Sequence, residues 1–202
     1  MVFNKINKKP ENKVFNKKNV IGIIIVFVMV SSLLAVWQGS STSLDNYNHF
    51  RFRADTNNKI FGKMNDNWIQ FNYHPSFLEK INVSDDVIST LNNSKMIYIT
   101  FEPTDKYIKN VELMRFQIRD SFLNEFNMYP FVGVTNNTGN YQALPFIDCN
   151  NATQFVPVIY IKSYNETLIL NENNCIYLYA SGGVEFNAIL DRIRYGLYGV
   201  MK

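Results

Sequence analysis

The stretch NVELMRFQIRDSFLNEF, residues 110–126, carries the signature of an amphipathic helix. Together with the residue two places before it, its apolar side chains recur at spacings of three and four, the pattern of a helix that covers a sheet. They are Ile108, Val111, Met114, Ile118, Phe122 and Phe126. The polar face carries Glu112, Arg115, Arg119 and Asp120. The sequence therefore predicts one long helix with a buried face.

Strand signals surround this helix. The segment KMIYITF, residues 95–101, precedes it as a buried strand, and five more candidates follow it. These are FVGV (131–134), ALPFID (143–148), FVPVIYI (155–161), TLILN (167–171) and CIYLYA (175–180). We expect FVPVIYI and TLILN to form a hairpin through KSYNE. The chain closes with a second amphipathic helix, with Phe186, Ile189, Ile193 and Leu197 on one face. The predicted fold class is α+β, α/β-like, with one mixed sheet backed by two long helices.

Two further segments lie upstream. KIFGKM (59–64) and WIQFNYH (68–74) alternate in polarity around the turn signal NDN, which predicts a hairpin. Two short helices are predicted next, in SFLEKI and SDDVISTLNN, the second with Ser84 as its N-cap. Residues 38–58 are polar and poor in aromatic residues before FRFRA, so we expect a linker there and a domain over 59–202.

The segment Val20 to Trp37 is the most apolar part of the chain. Its eighteen residues carry no charge, and twelve of them are Val, Ile, Leu or Phe. As a helix it is about 27 Å long, enough to cross the hydrocarbon core. Insertion of the twelve residues is favoured by about 5 kcal/mol. No good cleavage site follows it, so we expect a retained transmembrane signal anchor over residues 20–37.

The charge around this segment predicts its orientation. Six Lys and one Glu lie before Trp37, and a basic flank stays in the cytoplasm, so residues 1–19 form a basic cytoplasmic leader. Of the 20 Lys plus Arg and 17 Asp plus Glu in the whole chain, 14 and 16 remain after Trp37. The exported part is therefore slightly acidic, and it has no basic stripe with interleaved aromatic residues. This pattern argues against a nucleic-acid partner.

The exported part also carries candidate covalent modifications. Cys149 and Cys175 both lie beyond the membrane segment, where a disulfide persists, and we expect them to be joined. Five Asn-x-Ser/Thr sequons are possible glycosylation sites. They begin at Asn82, Asn92, Asn136, Asn151 and Asn165. Glycosylation depends on a host that has the machinery.

No motif predicts a catalytic, cofactor or metal site. HExxH, a nucleophile elbow and a Walker loop are all missing from the sequence, and His49 and His74 are its only histidines. Glu102 and Asp105 follow a strand, where open α/β sheets often place sites, although capping of the next helix explains them more simply. The stretch ASGGVEF resembles a phosphate cradle, but Glu185 in the first helical turn would repel an anion.

The last 55 residues carry a family resemblance. Their elements are a Cys followed by NNAT, then PVIY, NET, NNCI and a closing helix with DRIRYGLYGVM. With YITFEPTD and VELMRFQIRD further upstream, they resemble uncharacterised single-pass membrane proteins of small-genome archaea. The order of a Cys, a second Cys before a strand, a Gly and an Arg-containing helix is also remotely similar to the C-terminal segment of archaeal S-layer-type domains. Neither family supplies a known catalytic residue.

These observations favour a signal-anchored protein of the cell envelope. We expect a single-pass membrane protein with a cytoplasmic N-terminus, whose extracytoplasmic domain binds an envelope protein or a glycan and is non-catalytic. The membrane contact is the segment Val20 to Trp37. One alternative is an exported enzyme or thiol-redox protein that uses Asp148, Cys149 and Cys175, or the carboxylates of FEPTD. Another is an accessory subunit of a larger membrane complex.

Overall fold

A computed structural model describes residues 17–38 and 44–202. The chain divides into two compact units, of which the second runs from Ser43 to Lys202. The first contains helix α1, Lys17–Gln38, so the apolar segment Val20 to Trp37 is helical as predicted. Its large apolar side chains from Ile21 to Val30 are exposed, by 48% at Val30 and 73% at Phe27. The predicted leader lies outside the described residues except for its last three positions.

The membrane span itself is not confirmed. In the two described ranges, no helix combines the length and the hydropathy that crossing a membrane requires.

A four-stranded antiparallel sheet opens the second unit. Its strands, in spatial order, are β1 (Leu44–Tyr47), β2 (Phe50–Ala54), β3 (Ile60–Met64) and β4 (Asn67–Phe71). The β3–β4 hairpin was predicted from NDN, and its turn residues Asn65 and Asp66 have φ of 46° and 68°. Two consecutive positive φ values are typical of a type I′ turn, whose twist matches that of the flanking strands.

The predicted linker over residues 38–58 is too long. Strands β1 and β2 lie inside it, joined by a second turn with positive φ at Asn48 and His49. Strand β2 pairs with β3, and Phe52 of β2 is 1% exposed. Phe52 thus joins an apolar cluster of the domain, and Tyr47 and Phe50 pack against the same cluster. The folded unit therefore begins well before residue 59.

The second sheet has six strands and mixed direction. In chain order they are β5 (Asn82–Val83), β6 (Met96–Phe101), β7 (Tyr129–Val132), β8 (Val158–Ser163), β9 (Leu168–Glu172) and β10 (Cys175–Ala180). Their spatial order is β5-β9-β10-β8-β6-β7. Strands β6, β7, β8 and β10 are mutually parallel, and β9 is antiparallel to β10. The prediction of one mixed sheet is therefore corrected to two sheets.

The predicted hairpin of FVPVIYI and TLILN is wrong. Strand β10 lies between β8 and β9, and the real hairpin joins β9 to β10. Its turn is Asn173-Asn174, with φ of 54° and 66°, a tighter connection than KSYNE offers. The segment ALPFID is not a strand either, since only an isolated bridge joins Phe146 to Val134.

Three helices cover one face of the large sheet. They are α2 (Asp86–Asn92), α3 (Ile108–Phe126) and α4 (Glu185–Leu197), and the last two are the predicted long helices. The predicted apolar stripes point inward, because Val111, Ile118, Phe186 and Ile193 are each at most 1% exposed. They pack on alternate residues of the central strands, namely Ile97, Ile99, Phe101, Ile159, Ile161, Ile176 and Leu178. SFLEKI forms only a short 3-10 turn, Pro75–Phe77.

Helix α4 also joins the two sheets through buried polar groups. Asp191 is fully buried and accepts hydrogen bonds from the backbone N–H groups of Asn72 and Tyr73 at 2.6 and 2.9 Å. The ring of Tyr195 stacks on Phe71 of β4 at 4.2 Å, and its hydroxyl donates to the carbonyl of Tyr73. The end of the small sheet is thereby fixed to the helix layer of the large one.

Candidate binding face

Four tyrosines form a row on the open face of the large sheet. Tyr164 contacts Tyr179 at 4.7 Å between ring centroids, Tyr179 stacks on Tyr177 at 5.4 Å, and Tyr177 contacts Tyr160 at 5.8 Å. Tyr164 is 49% exposed, and the other three are partly exposed. We call Tyr160, Tyr164, Tyr177 and Tyr179 the tyrosine row.

The row follows from the alternation of side chains along two parallel strands. In β10 the residues on either side of Tyr177, Ile176 and Leu178, are buried under the helices, so Tyr177 points the other way. The same alternation in β8 places Ile159 and Ile161 in the core and Tyr160 on the open face. Strands β8 and β10 pair with Tyr160 directly opposite Tyr177. The segments VIYIKSY and CIYLYA carried this signal in their alternation of aliphatic residues and tyrosine.

The predicted disulfide lies beside this row. Cys149 and Cys175 are bonded, with their Cα atoms 5.4 Å apart, which confirms the prediction. The reason differs from the predicted hairpin, because Cys149 lies in a loop that crosses the open face. The bond fixes this loop to the first residue of β10. Cys175 forms a small apolar cluster with Ile147 and Val158, against which Tyr160 and Tyr177 pack.

Further contacts hold the same loop in place. The Thr100 hydroxyl of β6 donates to the carbonyl of Ile147 at 2.6 Å. Asp148 accepts a hydrogen bond from the backbone of Asn150, and its own N–H donates to Asn151, so it caps the short turn at Cys149–Asn151. The carboxylate of Asp148 is therefore engaged in local structure beside the disulfide.

The carboxylates of FEPTD lie at the carboxyl end of β6. Asp105 is buried and accepts from the backbone N–H groups of Ser163 at 2.7 Å and Tyr107 at 2.8 Å, so it ties β8 to the start of α3. Glu102 accepts from the hydroxyls of Thr104 and Thr135 at 3.0 and 2.8 Å. Both groups have structural partners, but neither accepts a hydrogen bond from an N–H group within α3, so the predicted capping of that helix is not found.

The pKa values of Tyr160, Tyr177 and Tyr179 are raised, which keeps these three hydroxyls protonated. Burial raises the pKa of Tyr160, and the nearby carboxylates of Glu102 and Asp105 raise it further. Burial also raises the pKa of Tyr177 and Tyr179, with a contribution from Glu172. A neutral phenol can both donate and accept hydrogen bonds. The ammonium of Lys162 lies 5.8 Å from the ring centre of Tyr160.

The remaining predicted residues lie elsewhere. His49 is a turn residue, and His74 packs against Phe52 with its Nδ1 atom 2.9 Å from the Ser76 hydroxyl. Gly182 and Gly183 connect β10 to α4. The five sequon asparagines are all exposed, and whether they are glycosylated stays a prediction. Across residues 17–38 and 44–202, no group of three or more His, Cys, Asp or Glu is placed to hold a metal ion.

Comparison with protein families, with curated proteins and with solved structures gives no match, so function is inferred from the geometry above.

Proposed function

We propose that this protein is a signal-anchored component of the cell envelope whose extracytoplasmic domain binds another envelope component without catalysis. The observation that carries the proposal is the partly exposed tyrosine row on the sheet face opposite the helices. The ligand is an envelope glycan or an envelope protein.

The anchor is supported by features of the N-terminal unit. Eighteen uncharged residues from Val20 to Trp37 follow a leader with six lysines. The apolar side chains of α1 between Ile21 and Val30 are exposed, and burying them in lipid removes that area from water. The disulfide between Cys149 and Cys175 fits an oxidising compartment outside the cytoplasm.

The binding face is supported by its chemistry. Tyrosine presents a large contact area with few rotatable bonds, and its hydroxyl adds hydrogen bonding, which is why interfaces are enriched in it. The row is also held in place before any ligand arrives, because Tyr160 and Tyr177 pack on the cluster that contains Cys175. A preorganised face loses less entropy on binding.

Binding can be tested with cell envelopes of the producing organism. The full chain in lipid nanodiscs is sedimented with envelopes that are untreated, digested with protease or oxidised with periodate. A glycan ligand predicts loss of binding after periodate alone, and a protein ligand predicts loss after protease alone. Retention after both treatments, or no binding to untreated envelopes, would argue against the proposal.

Variants assign the binding to the tyrosine row. Tyr177→Ser combined with Tyr179→Ser should weaken envelope binding at least tenfold, because both side chains are partly exposed contact groups. Phe116→Ser is the control, since Phe116 is 60% exposed on helix α3, which covers the opposite face of the sheet. Equal binding by the double variant and the control would exclude the row as the binding face.

The anchor has its own test. Protease added to intact cells should remove the chain after Trp37 and leave residues 1–19 protected. A soluble mature protein that begins near Val36 would show instead that the segment is cleaved.

A further inference from the structure

An apolar groove lies away from the tyrosine row, between the segment after β4 and the start of α4. Its volume is about 430 Å³, within the range of roughly 300 to 1,000 Å³ that is usual for small-molecule sites. Phe77, Leu78, Ile81 and Val184 supply the apolar wall. Phe77 and Val184 are 75% and 66% exposed, so the groove opens to solvent between two apolar side chains.

One polar group in the groove lacks a partner. The Oε2 atom of Glu185 is buried and accepts no hydrogen bond from any described residue. It packs so closely over Gly182 that a Cβ atom there would lie 2.7 Å from it. A buried acceptor without a donor costs free energy, and the cost is larger for a charged group. Because Oε2 is closed to water, a ligand removes this cost when the carboxylate turns into the groove to accept a hydrogen bond from it.

A second, opposite charge lines the same groove. Lys80 is exposed there, and within the described ranges its ammonium forms no ion pair with Glu185 or with any other acid. The groove thus offers an unpaired acid, an unpaired base and an apolar wall. A purely apolar ligand would leave Glu185 unsatisfied, and so would a fatty acid, whose ionised carboxylate pairs with Lys80 but brings no hydrogen-bond donor.

We propose that this groove binds a small zwitterion with an apolar side chain, that is, a free α-amino acid of the leucine or phenylalanine class. The ligand's ammonium donates to Glu185, and its carboxylate pairs with Lys80. Its side chain packs against Phe77, Ile81 and Val184. The ammonium and the carboxylate share the α-carbon of the ligand, so Glu185 and Lys80 bind its charged end and the apolar wall binds its side chain.

Titration calorimetry of the full chain tests this assignment. The chain is held in lipid nanodiscs, because free detergent would compete for an apolar groove. The probes are L-leucine and L-phenylalanine, and three analogues that each lack one feature: 3-methylbutan-1-amine without the carboxylate, 4-methylpentanoate without the ammonium, and glycine without the side chain. Each analogue should bind at least tenfold more weakly than leucine. Equal affinity of leucine and either singly charged analogue, or no binding of leucine and phenylalanine at millimolar concentration, would overturn the proposal.

Two variants locate the site. Glu185→Gln and Lys80→Met should each weaken leucine binding about tenfold, and Glu185→Gln should also abolish binding of the amine analogue. Lys95→Met is the control, because Lys95 is exposed and does not line the groove. Val184→Ser, at a 66% exposed position, serves as a second test of the apolar wall should Glu185→Gln fail to fold. Unchanged leucine affinity in folded variants would place any binding elsewhere.

Discussion

Arg194 of α4 donates two parallel hydrogen bonds to Glu125 of α3, from Nη2 to Oε1 at 2.8 Å and from Nε to Oε2 at 3.1 Å. The same guanidinium donates to the carbonyl of Gln70 at 3.1 Å and lies 4.4 Å from the ring centre of Phe71. Asp191 on its own helix is a third partner, at 3.4 Å. One side chain therefore connects both long helices to the last strand of the small sheet.

Loss of this arginine should destabilise the domain severely. Arg194→Met leaves the buried Asp191 and the largely buried Glu125 without their cation, at a cost of about 3 to 5 kcal/mol. Urea unfolding followed by circular dichroism measures the change. Arg115→Met is the matched control, because Arg115 pairs with Glu112 within one helix at a partly exposed site and should cost about 1 kcal/mol or less. A similar decrease in the free energy of unfolding for both variants would mean that the buried network stabilises the domain no more than a surface ion pair does.

Asp191 should make stability depend on pH. Burial raises its pKa to about 6, against the opposing effects of Arg194 and the backbone donors of Tyr73 and Asn72. Between about pH 4 and pH 6 the folded chain therefore holds a proton that the unfolded chain has released. The free energy of unfolding should fall as pH rises through this window, by about 3 kcal/mol in all.

The slope can be assigned to this residue. Asp191→Asn should flatten the decline between pH 4 and pH 6, whatever its effect on absolute stability. Asp120→Asn, at an exposed position of α3, should leave the slope as it is. A slope that survives Asp191→Asn would trace the pH dependence to another group.

Removal of the disulfide should weaken the domain and loosen the tyrosine row. Cys149 and Cys175 are 26 residues apart, and closure of a loop of this length contributes about 3 to 4 kcal/mol. The double variant Cys149→Ala with Cys175→Ala should lose this amount in urea unfolding. The folded double variant, measured at urea concentrations below its unfolding transition, should also give a weaker near-ultraviolet circular dichroism signal from tyrosine. The reason is that Tyr160 and Tyr177 pack on the cluster that contains Cys175. An unchanged signal would mean that the loop keeps its place without the bond.

Ile193 should tolerate no charge. It is 1% exposed on the buried face of α4, so Ile193→Asp would bury an unpaired carboxylate at a cost of several kcal/mol. Domains of this size are stable by about 5 to 15 kcal/mol, and the variant should fold poorly or not at all. Leu113→Asp on α3 is the comparison, since Leu113 is 49% exposed and the change there should be mild. Parent-like melting of Ile193→Asp would contradict the packing of α4.

The elements that the sequence predicted well are those with strong local periodicity. The stripes of α3 and α4, and the hairpin around Asn65 and Asp66, need only nearby residues to be recognised. The order of the strands in the large sheet could not be predicted from nearby residues alone. Asn173-Asn174 is one of many asparagine pairs in this chain, and nothing local marks it as a tight turn rather than KSYNE as a longer one.

The candidate binding face was missed for a different reason. The alternation of Ile176, Tyr177, Leu178 and Tyr179 shows that tyrosines share a face, but not whether a helix covers it. That depends on α3 and α4 both packing on the opposite face, which is a property of the whole chain. The groove around Glu185 is likewise formed by segments about a hundred residues apart along the chain, between Lys80 and Val184.

Strand β7 forms one edge of the large sheet, and Pro130 lies within it. Tyr129 and Gly133 donate their N–H groups inward to β6, so the alternate positions, including Pro130, face outward. Proline has no N–H, and one outward donor of this short strand is therefore missing without loss of any bond to β6. Another chain that approaches this edge finds no continuous ladder to extend. Where copies of this chain meet, this edge therefore resists fibre growth by strand addition.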